Sequence, residues 1–273
     1  MGTIDAKLIN ELRKITGAGI MNCKKALIET DGDKDKAIDY LRRLGVKVAN
    51  KRSGCHVDEG VVLAAVDDDK HFGAIVELLC ETDFVGKSDI IKTFIHDILT
   101  IAVQNKITDI NVLKSFTTQN NITVDEAVTD LMGKVGEKLE IKYHHMHGEH
   151  IGFYNHFSNK LSVIACFQNC QNDDVMKNIC MHIAAMNPLA IDRDGIEQDI
   201  IKKEQDIISQ QITTAKNNTM IDKIAKGKLE KFFKENVLVE QAFIIDEKIS
   251  VGDYLKKNNG TLITSFNRVE ITK

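Results

Sequence analysis

Four histidines crowd one short stretch, HHMHGEH, at His144, His145, His147 and His150. His144 and His147 are three residues apart, as are His147 and His150, and on a helix that spacing brings two imidazoles together as metal ligands. Gly148 interrupts the stretch and no cysteine accompanies it. The expectation is therefore an exposed polar loop between two elements, and no metal site. The cysteines, Cys23, Cys55, Cys80, Cys166, Cys170 and Cys180, form no C-x-x-C pair. Cys80, Cys166 and Cys180 lie inside apolar runs and read as small buried hydrophobes. A chain this long and this rich in core residues has no need of a disulfide framework. Cys166 and Cys170 fall in or beside a predicted strand, where a spacing of four is not a ligand geometry. There is no phosphate-binding loop, no G-x-G-x-x-G and no G-x-S-x-G. A Cys-dependent or His-metal hydrolase is left without support, and neither enzyme chemistry nor a cofactor is expected.

The stretch LLCETDFVGKSD, residues 78 to 89, poses a different question. A buried strand ends at Cys80, a helical pattern begins near residue 87, and a large aromatic, Phe84, sits beside Asp83 at the corner. Most aromatics are buried, so one reading tucks Phe84 into the local core. On that reading Asp83 is the N-cap of the helix that follows.

The elements that must hold these residues are legible in the pattern of apolar positions. Residues 3 to 46 read as three short helices. The first aligns Ile4, Leu8, Leu12 and Ile15, and Thr16-Gly17-Ala18-Gly19 ends it. Asp31-Gly32 breaks the second. Asp33 caps the third, which carries Ala37, Ile38, Leu41 and Leu44 and stops at Gly45. A unit this small buries little, so it suits a binding module better than a catalytic domain. A polar, basic stretch follows as a linker. VVLAAV, the turn DDDKHFG and AIVELLC make a hairpin, and a helix rich in Ile follows, with a second helical region at 123 to 139. The order strand, turn, strand, helix then repeats, with HIGFYNHF, SNK, LSVIACF and DDVMKNICMHIAAMNP. Residues 196 to 234 are charged helices with narrow apolar seams, broken by KNNT at 216 to 219, with Thr219 as a cap. They read as a projecting antiparallel coiled-coil hairpin. NVLVEQAFIID reads as a strand, SVGDYLKKNN as a helix and TLITSFNRVEI as a last strand.

The chain of 273 residues fits roughly two domains. Its net charge of −4 gives no global basic field, which disfavours direct binding of nucleic acid. No run approaches the ~18 apolar residues of a membrane span. The N-terminus has no apolar h-region, and its Met-Gly lacks the Ser or Thr of a myristoylation signal. A cytoplasmic protein is expected.

TGAGIMNCKKAL (16 to 27), with ELRKITGAG leading into it, resembles the N-terminal signature of bacterial elongation factor Ts. ETDFV (81 to 85) resembles that family's second signature, MHIAAMNP (181 to 188) its third, and LVEQAF (238 to 243) a fourth, with Ala242 where the family usually has Pro. All four keep the family's order and spacing across nearly the whole chain. The resemblance implies a guanine nucleotide exchange factor that binds elongation factor Tu, ejects GDP and does no bond chemistry. It implies an α+β fold: a UBA-like three-helix module at 1–52, a core N-subdomain at 56–140, and a core C-subdomain at 141–195 and 235–273, both with antiparallel sheets. A coiled-coil hairpin is inserted at 196–234, a region that in the family takes part in dimer contacts or touches the partner's periphery, so a homodimer is compatible with it.

By the same resemblance, Thr82, Asp83, Phe84 and Val85 insert beside the nucleotide site of elongation factor Tu. Phe84 is the wedge, and Asp83 disturbs the region holding the partner's Mg²⁺. Arg13 and Met21 match positions that meet the GTP-binding domain, although a buried helix contact is the plain alternative for Met21. Val135 and Gly136 match a pair that supports the wedge. His156 matches a His that touches the partner, with Phe157 where Gly often follows. The given chain ends soon after the last predicted strand, so a further C-terminal helical module found in some members is expected to be absent. The alternative to exchange is an interaction adaptor built on the three-helix module.

Overall fold

The computed structural model describes residues 4–211 and 218–272. It is an α+β chain of helices interleaved with small sheets. The described residues fall into two compact units, one within Met1–Leu63, Ala74–His145 and Glu270–Lys273, the other within Ala64–Gly73 and Met146–Val269.

The first unit opens with three helices. α1 (Ala6–Thr16) is capped by Asp5, which accepts from the Lys7 N–H, and ends at Gly17 in the left-handed conformation. α2 (Ile20–Glu29) follows, and then α3 (Lys34–Lys51), capped by Asp33. Leu12, Ala18, Cys23, Ala26, Leu27 and Ala37 bury together between them. α3 does not stop at Gly45, as its composition predicts, but runs on to Lys51. The reason lies in α7 (Val124–Val135), which packs on α3. A Cβ at Gly45 would stand 2.7 Å from the Thr129 carbonyl oxygen, and one at Gly133 would stand 2.8 Å from the Gly45 Cα. The two glycines let the helices touch backbone to backbone, so Gly45 is a packing residue and not a terminator.

β1 (Glu59–Val66) and β2 (Phe72–Cys80) form the expected hairpin, and every residue of β2 is buried. The one-turn α4 (Asp83–Gly86) precedes α5 (Asp89–Gln104), whose Ile91, Ile95, Ile98 and Leu99 enter the core. α6 (Ile110–Ser115) leads to α7. β3 (Leu139–His147) then completes a sheet of order β1-β2-β3. This strand corrects two expectations. The helical region predicted to 139 ends at Val135, and HHMHGEH is not a loop: it is the end of β3, a tight turn, and the start of β4 (His150–Asn155). Leu139, Ile141 and Met146 are buried, but the run Lys142 to His145 between the last two is mostly polar and hides the period.

In the second unit β4 pairs antiparallel with β5 (Leu161–Gln168), from His150 opposite Phe167 to Asn155 opposite Ser162. α8 (Asp173–Met186) packs on both strands. Asn172 caps its start. Asn187, at φ 45°, ends it before Pro188. A 3₁₀ turn (Arg193–Gly195) leads to α9 (Gln198–Gln211) and α10 (Asn218–Asn236), which pack on one another. Residues 216–217 of the expected break lie outside the described residues, and Thr219 falls within α10. The strand predicted over NVLVEQAFIID is mostly absent. A 3₁₀ turn (Leu238–Glu240) precedes a short hairpin of β6 (Ala242–Phe243) and β7 (Asp246–Ser250). Val237 and Leu238 are apolar because they anchor this turn in the core, with the Leu238 N–H donating to the Ala190 carbonyl. α11 (Val251–Lys257) and β8 (Leu262–Glu270) follow, and β8 joins the sheet β4-β5-β8. Among the described residues, no helix is long and apolar enough to cross a membrane.

Candidate functional site

At the end of β2 the chain turns through Glu81 and Thr82 into the single turn of α4. Thr82 is extended, and its hydroxyl caps the turn by accepting from the Val85 N–H at 3.4 Å. The N-cap residue of this turn is therefore Thr82 and that of α5 is Ser88, so Asp83 caps neither. Asp83 occupies the first turn, where its carboxylate accepts from Lys87 Nζ at 2.7 Å, an i,i+4 pair that raises the Lys87 pKa. Val85 is half-buried and Gly86 is buried. Phe84 is 83% exposed, which corrects the reading that tucks it into the core. A Phe left in water forgoes about 1.5–3 kcal/mol of burial free energy. Unless something else covers the ring, the corner has no hydrophobic reason to keep this shape.

Polar contacts from distant parts of the sequence hold it. Glu137 lies one residue beyond Gly136. Its Oε2 accepts the backbone N–H groups of Glu81 at 3.2 Å and Thr82 at 3.0 Å, and its Oε1 accepts the Thr82 hydroxyl at 2.7 Å. In return, Glu81 Oε1 accepts the backbone N–H of Lys138 at 2.6 Å, and Oε2 accepts from the Arg52 guanidinium at 2.6 Å. Burial alone would raise the Glu81 pKa. The Lys138 N–H and Arg52 outweigh it and hold the carboxyl below its ordinary value. Arg52 is the C-cap residue of α3, so the three helices are tied to the corner. Lys138 Nζ also donates to the carbonyls of Ser53 and Cys55.

Val135 and Gly136 end α7 beneath this network. Gly136 sits at φ 76°, and its N–H donates to the Met132 carbonyl at 2.8 Å. This left-handed C-cap turns the chain so that Glu137 and Lys138 meet Glu81 and Thr82. Arg13 is exposed in the last turn of α1. Met21 is 73% exposed, which corrects the alternative of a buried contact, and Ile15 and Ile20 are exposed as well.

His156 belongs to the second unit, at the turn between β4 and β5. Its ring is half-buried, and Nδ1 accepts the Ser158 N–H at 3.3 Å and lies 2.8 Å from the Ser158 hydroxyl. Phe157, 89% exposed, leans on that ring with centroids 4.2 Å apart. The third and fourth signature stretches meet inside this unit. His182 is fully buried, with Nε2 2.9 Å from Gln241 Oε1, while its Nδ1 accepts the Ile244 N–H. Gln241 in turn donates to the Glu235 carbonyl at 2.7 Å. These residues build the core.

The other chemistry-bearing residues do not assemble. His144 meets Glu77 at 3.1 Å, His145 stacks by Tyr143, His147 presents an edge to Phe72, and His150 lies by Glu149. His144 and His147 share β3, where residues three apart face opposite ways, and His150 begins β4 after the turn, so the spacing that suits a helix does not bring these rings together. Among the described residues no cluster of three His, Cys, Asp or Glu side chains could hold a metal. The Cys80 thiol is pushed up to about 11 by burial, with the Glu137 carboxylate adding to the shift, the opposite of what a nucleophile requires.

Sequence reading missed Arg52, Glu81, Glu137 and Lys138. The one available signal was that charged residues directly flank both the TDFV turn and the Val135-Gly136 pair. Glu81 pairs with Glu137 and Lys138 across more than fifty residues and with Arg52 across 29, and neither separation leaves a periodic trace.

Comparison with known proteins bears on the same segment. A family model described as elongation factor TS matches residues 81–273, more than half of the chain. A protein named elongation factor Ts from Amoebophilus asiaticus is 42% identical over 97% of this chain and 98% of its own length. Proteins of the same name from Christiangramia forsetii and Flavobacterium psychrophilum are 41% and 39% identical, each over 99% of this chain and 100% of its own.

Proposed function

The chain belongs to the elongation factor Ts family, and from that premise we propose how its own residues act. As a member it is a translation elongation factor, and the family's role is guanine nucleotide exchange on elongation factor Tu. In our reading the Phe84 corner enters beside the nucleotide site of elongation factor Tu. Phe84 wedges between elements of the partner, while Thr82 and Val85 shape the turn that carries it. Asp83 disturbs the coordination of the partner's Mg²⁺. That ion neutralises the diphosphate, so disturbing it weakens GDP. Arg13 and Met21 dock the first unit on the GTP-binding domain, Val135 and Gly136 support the wedge, and His156 supplies a contact from the second unit.

One observation carries this reading: Phe84 stands 83% exposed on a turn held by long-range hydrogen bonds. A rigid aromatic loses little entropy on docking and fits a hot spot. Reciprocity follows, because a factor that weakens GDP must be weakened by GDP in the same ratio. The protein does no bond chemistry of its own, needs no cofactor and works in the cytoplasm. We divide it into a UBA-like module at 1–52, supported by its own buried cluster, core subdomains at 56–140 and at 141–195 with 235–273, and a coiled-coil hairpin at 196–234.

The test is release of labelled GDP from elongation factor Tu with and without this protein. Acceleration at catalytic amounts supports exchange, and an unchanged rate refutes it. The exposed Ile15, Ile20 and Met21 favour one rival, an adaptor acting through the three-helix module. Capture of elongation factor Tu by residues 1–52 alone, without faster GDP release by the whole chain, would favour that rival.

A further inference from the structure

We propose that Glu137 is a positioning residue for nucleotide release: with Glu81 it forms a reciprocal clamp that keeps the Phe84 corner in the conformation that presents the ring. The inference rests on the exchange reading above and names the residue that makes the corner rigid.

Three features of the corner make a clamp necessary. α4 has four residues, too few to be stable on helix propensity alone. Phe84 is exposed, so it contributes no burial free energy. The local side-chain bonds of Thr82 and Asp83 hold the turn weakly, since the Thr82 cap is long at 3.4 Å and the Asp83–Lys87 pair is exposed, and the backbone bonds from Gly86 and Lys87 to Thr82 and Asp83 close the turn without fixing where it sits on the unit. Against these, Glu137 supplies three acceptor contacts to two consecutive residues, at 3.2, 3.0 and 2.7 Å. Hydrogen bonds to an ionised carboxylate are roughly twice as strong as neutral ones.

Reciprocity makes the clamp specific. Glu81 returns one bond to the Lys138 N–H, so each strand of the crossing donates a backbone N–H to a carboxylate carried by the other. Sliding either segment by one residue breaks both sets. Arg52 balances the Glu81 charge at 2.6 Å, which lets two carboxylates work in one small volume. The left-handed Gly136 delivers Glu137 to this place, and that gives the Val135-Gly136 pair a physical task.

The test uses the full chain and two readouts. Hydrogen exchange at the Glu81 and Thr82 amides, measured on the protein alone, reports the clamp without reference to any partner. Glu137→Ala should speed exchange at both amides by about tenfold, the loss of one charge-assisted bond, and slow GDP release by a similar factor at saturating factor. Glu137→Gln keeps the length and one acceptor oxygen, so it should fall between the parent and Glu137→Ala in both readouts. It also decides the matter if the alanine variant does not fold. A clamp that acts only through the corner predicts that Glu137→Ala adds nothing once Phe84→Ala is present.

Unchanged amide exchange in both variants overturns the clamp, whatever happens to GDP release. Defects of Glu137→Ala and Phe84→Ala that multiply in the double variant overturn the positioning role. If the parent protein fails to release GDP, the exchange reading falls and takes the positioning role with it, and intact amide protection by Glu137 identifies that outcome.

Discussion

Two aromatic rings stand out into solvent, Phe84 in the first unit and Phe157 in the second, and the second is the more exposed at 89% against 83%. Their supports differ. The Phe84 turn is tied to Glu137 and Lys138, more than fifty positions away, and to Arg52, 29 positions before Glu81. At the Phe157 turn the long-range bonds stop at its base, where Asn155 exchanges two hydrogen bonds with the Ala64 backbone at 2.8 and 2.9 Å, while His156 bonds locally, to Ser158 and through its N–H to the Leu161 carbonyl at 2.9 Å. Exposure of a large apolar group is therefore a weak sign of function by itself. Exposure on a turn that the rest of the unit holds still is a stronger one, because a rigid anchor avoids the ordering cost of docking.

The sharpest way to break this contrast is to remove each ring. Phe84→Ala should slow GDP release from elongation factor Tu by about thirtyfold, or ~2 kcal/mol, with little change in melting temperature because the ring is solvated. A large drop in melting temperature with exchange per folded molecule intact would reverse that conclusion.

Acid should separate the units next. Burial lowers the pKa of His182 below 6.5, against the weaker pull of its Gln241 bond. Below pH ~6.5 the unfolded chain binds a proton that the folded second unit resists. Stability should then fall with falling pH, by at most about 1.4 kcal/mol per pH unit. The Glu81 carboxyl has a lowered folded pKa, so its contribution is full above the ordinary 4.5 and is lost only as pH falls through the lower folded value. Urea midpoints between pH 7.5 and 5.5, with amide exchange resolved by unit, should show the second unit loosening while the corner keeps its protection. A flat midpoint across that range would contradict the His182 assignment.

Asp83 is a smaller and more conditional contributor. Asp83→Ala should slow GDP release about fivefold, ~1 kcal/mol, at millimolar Mg²⁺. With Mg²⁺ chelated it should match the parent, while Phe84→Ala stays impaired in both conditions. A defect of equal size at both Mg²⁺ levels would sink the idea that Asp83 acts on the metal. Since Thr82 is the cap and the Asp83–Lys87 pair is exposed, Asp83→Ala should change the melting temperature little.

Gly136→Ala sharpens the link between backbone and clamp. A Cβ there meets nothing within 4 Å, so the substitution changes only the left-handed strain at φ 76°. It should cost about 1 kcal/mol or a little more and should raise amide exchange at Thr82; a stability loss that leaves Thr82 protected would uncouple the two. Smallest of all, Phe157→Ala should change GDP release by less than about threefold, as expected of a contact away from a hot spot.

Much of this architecture was present in the order of residues. The strand, turn, strand, helix pattern, the cap at Asp33, and the run of Ile in α5 follow from local propensity and apolar period, and they appear where the pattern puts them. Local signals failed where a neighbour far along the chain overrode them. Gly45 looked like a stop because nothing nearby says that Thr129 and Gly133 will press against it. HHMHGEH looked like a loop because polar residues mask the strand. NVLVEQ looked like a strand because burial by the surrounding core and burial in a sheet select the same apolar residues.

The sequence by itself determined most of the segments that become helices and strands, placed Phe84 and Asp83 at a corner, and carried the four signatures that mark the family. Those are matters of composition and spacing over a dozen residues or so. Only the tertiary structure decided that Thr82 and not Asp83 caps the corner, that the Phe84 ring lies outside, and that Glu137 and Glu81 exchange bonds with each other's backbone. Hydrogen bonds between residues 81 and 138 impose no rule on the residues between them, so nothing short of the folded chain brings their partners together.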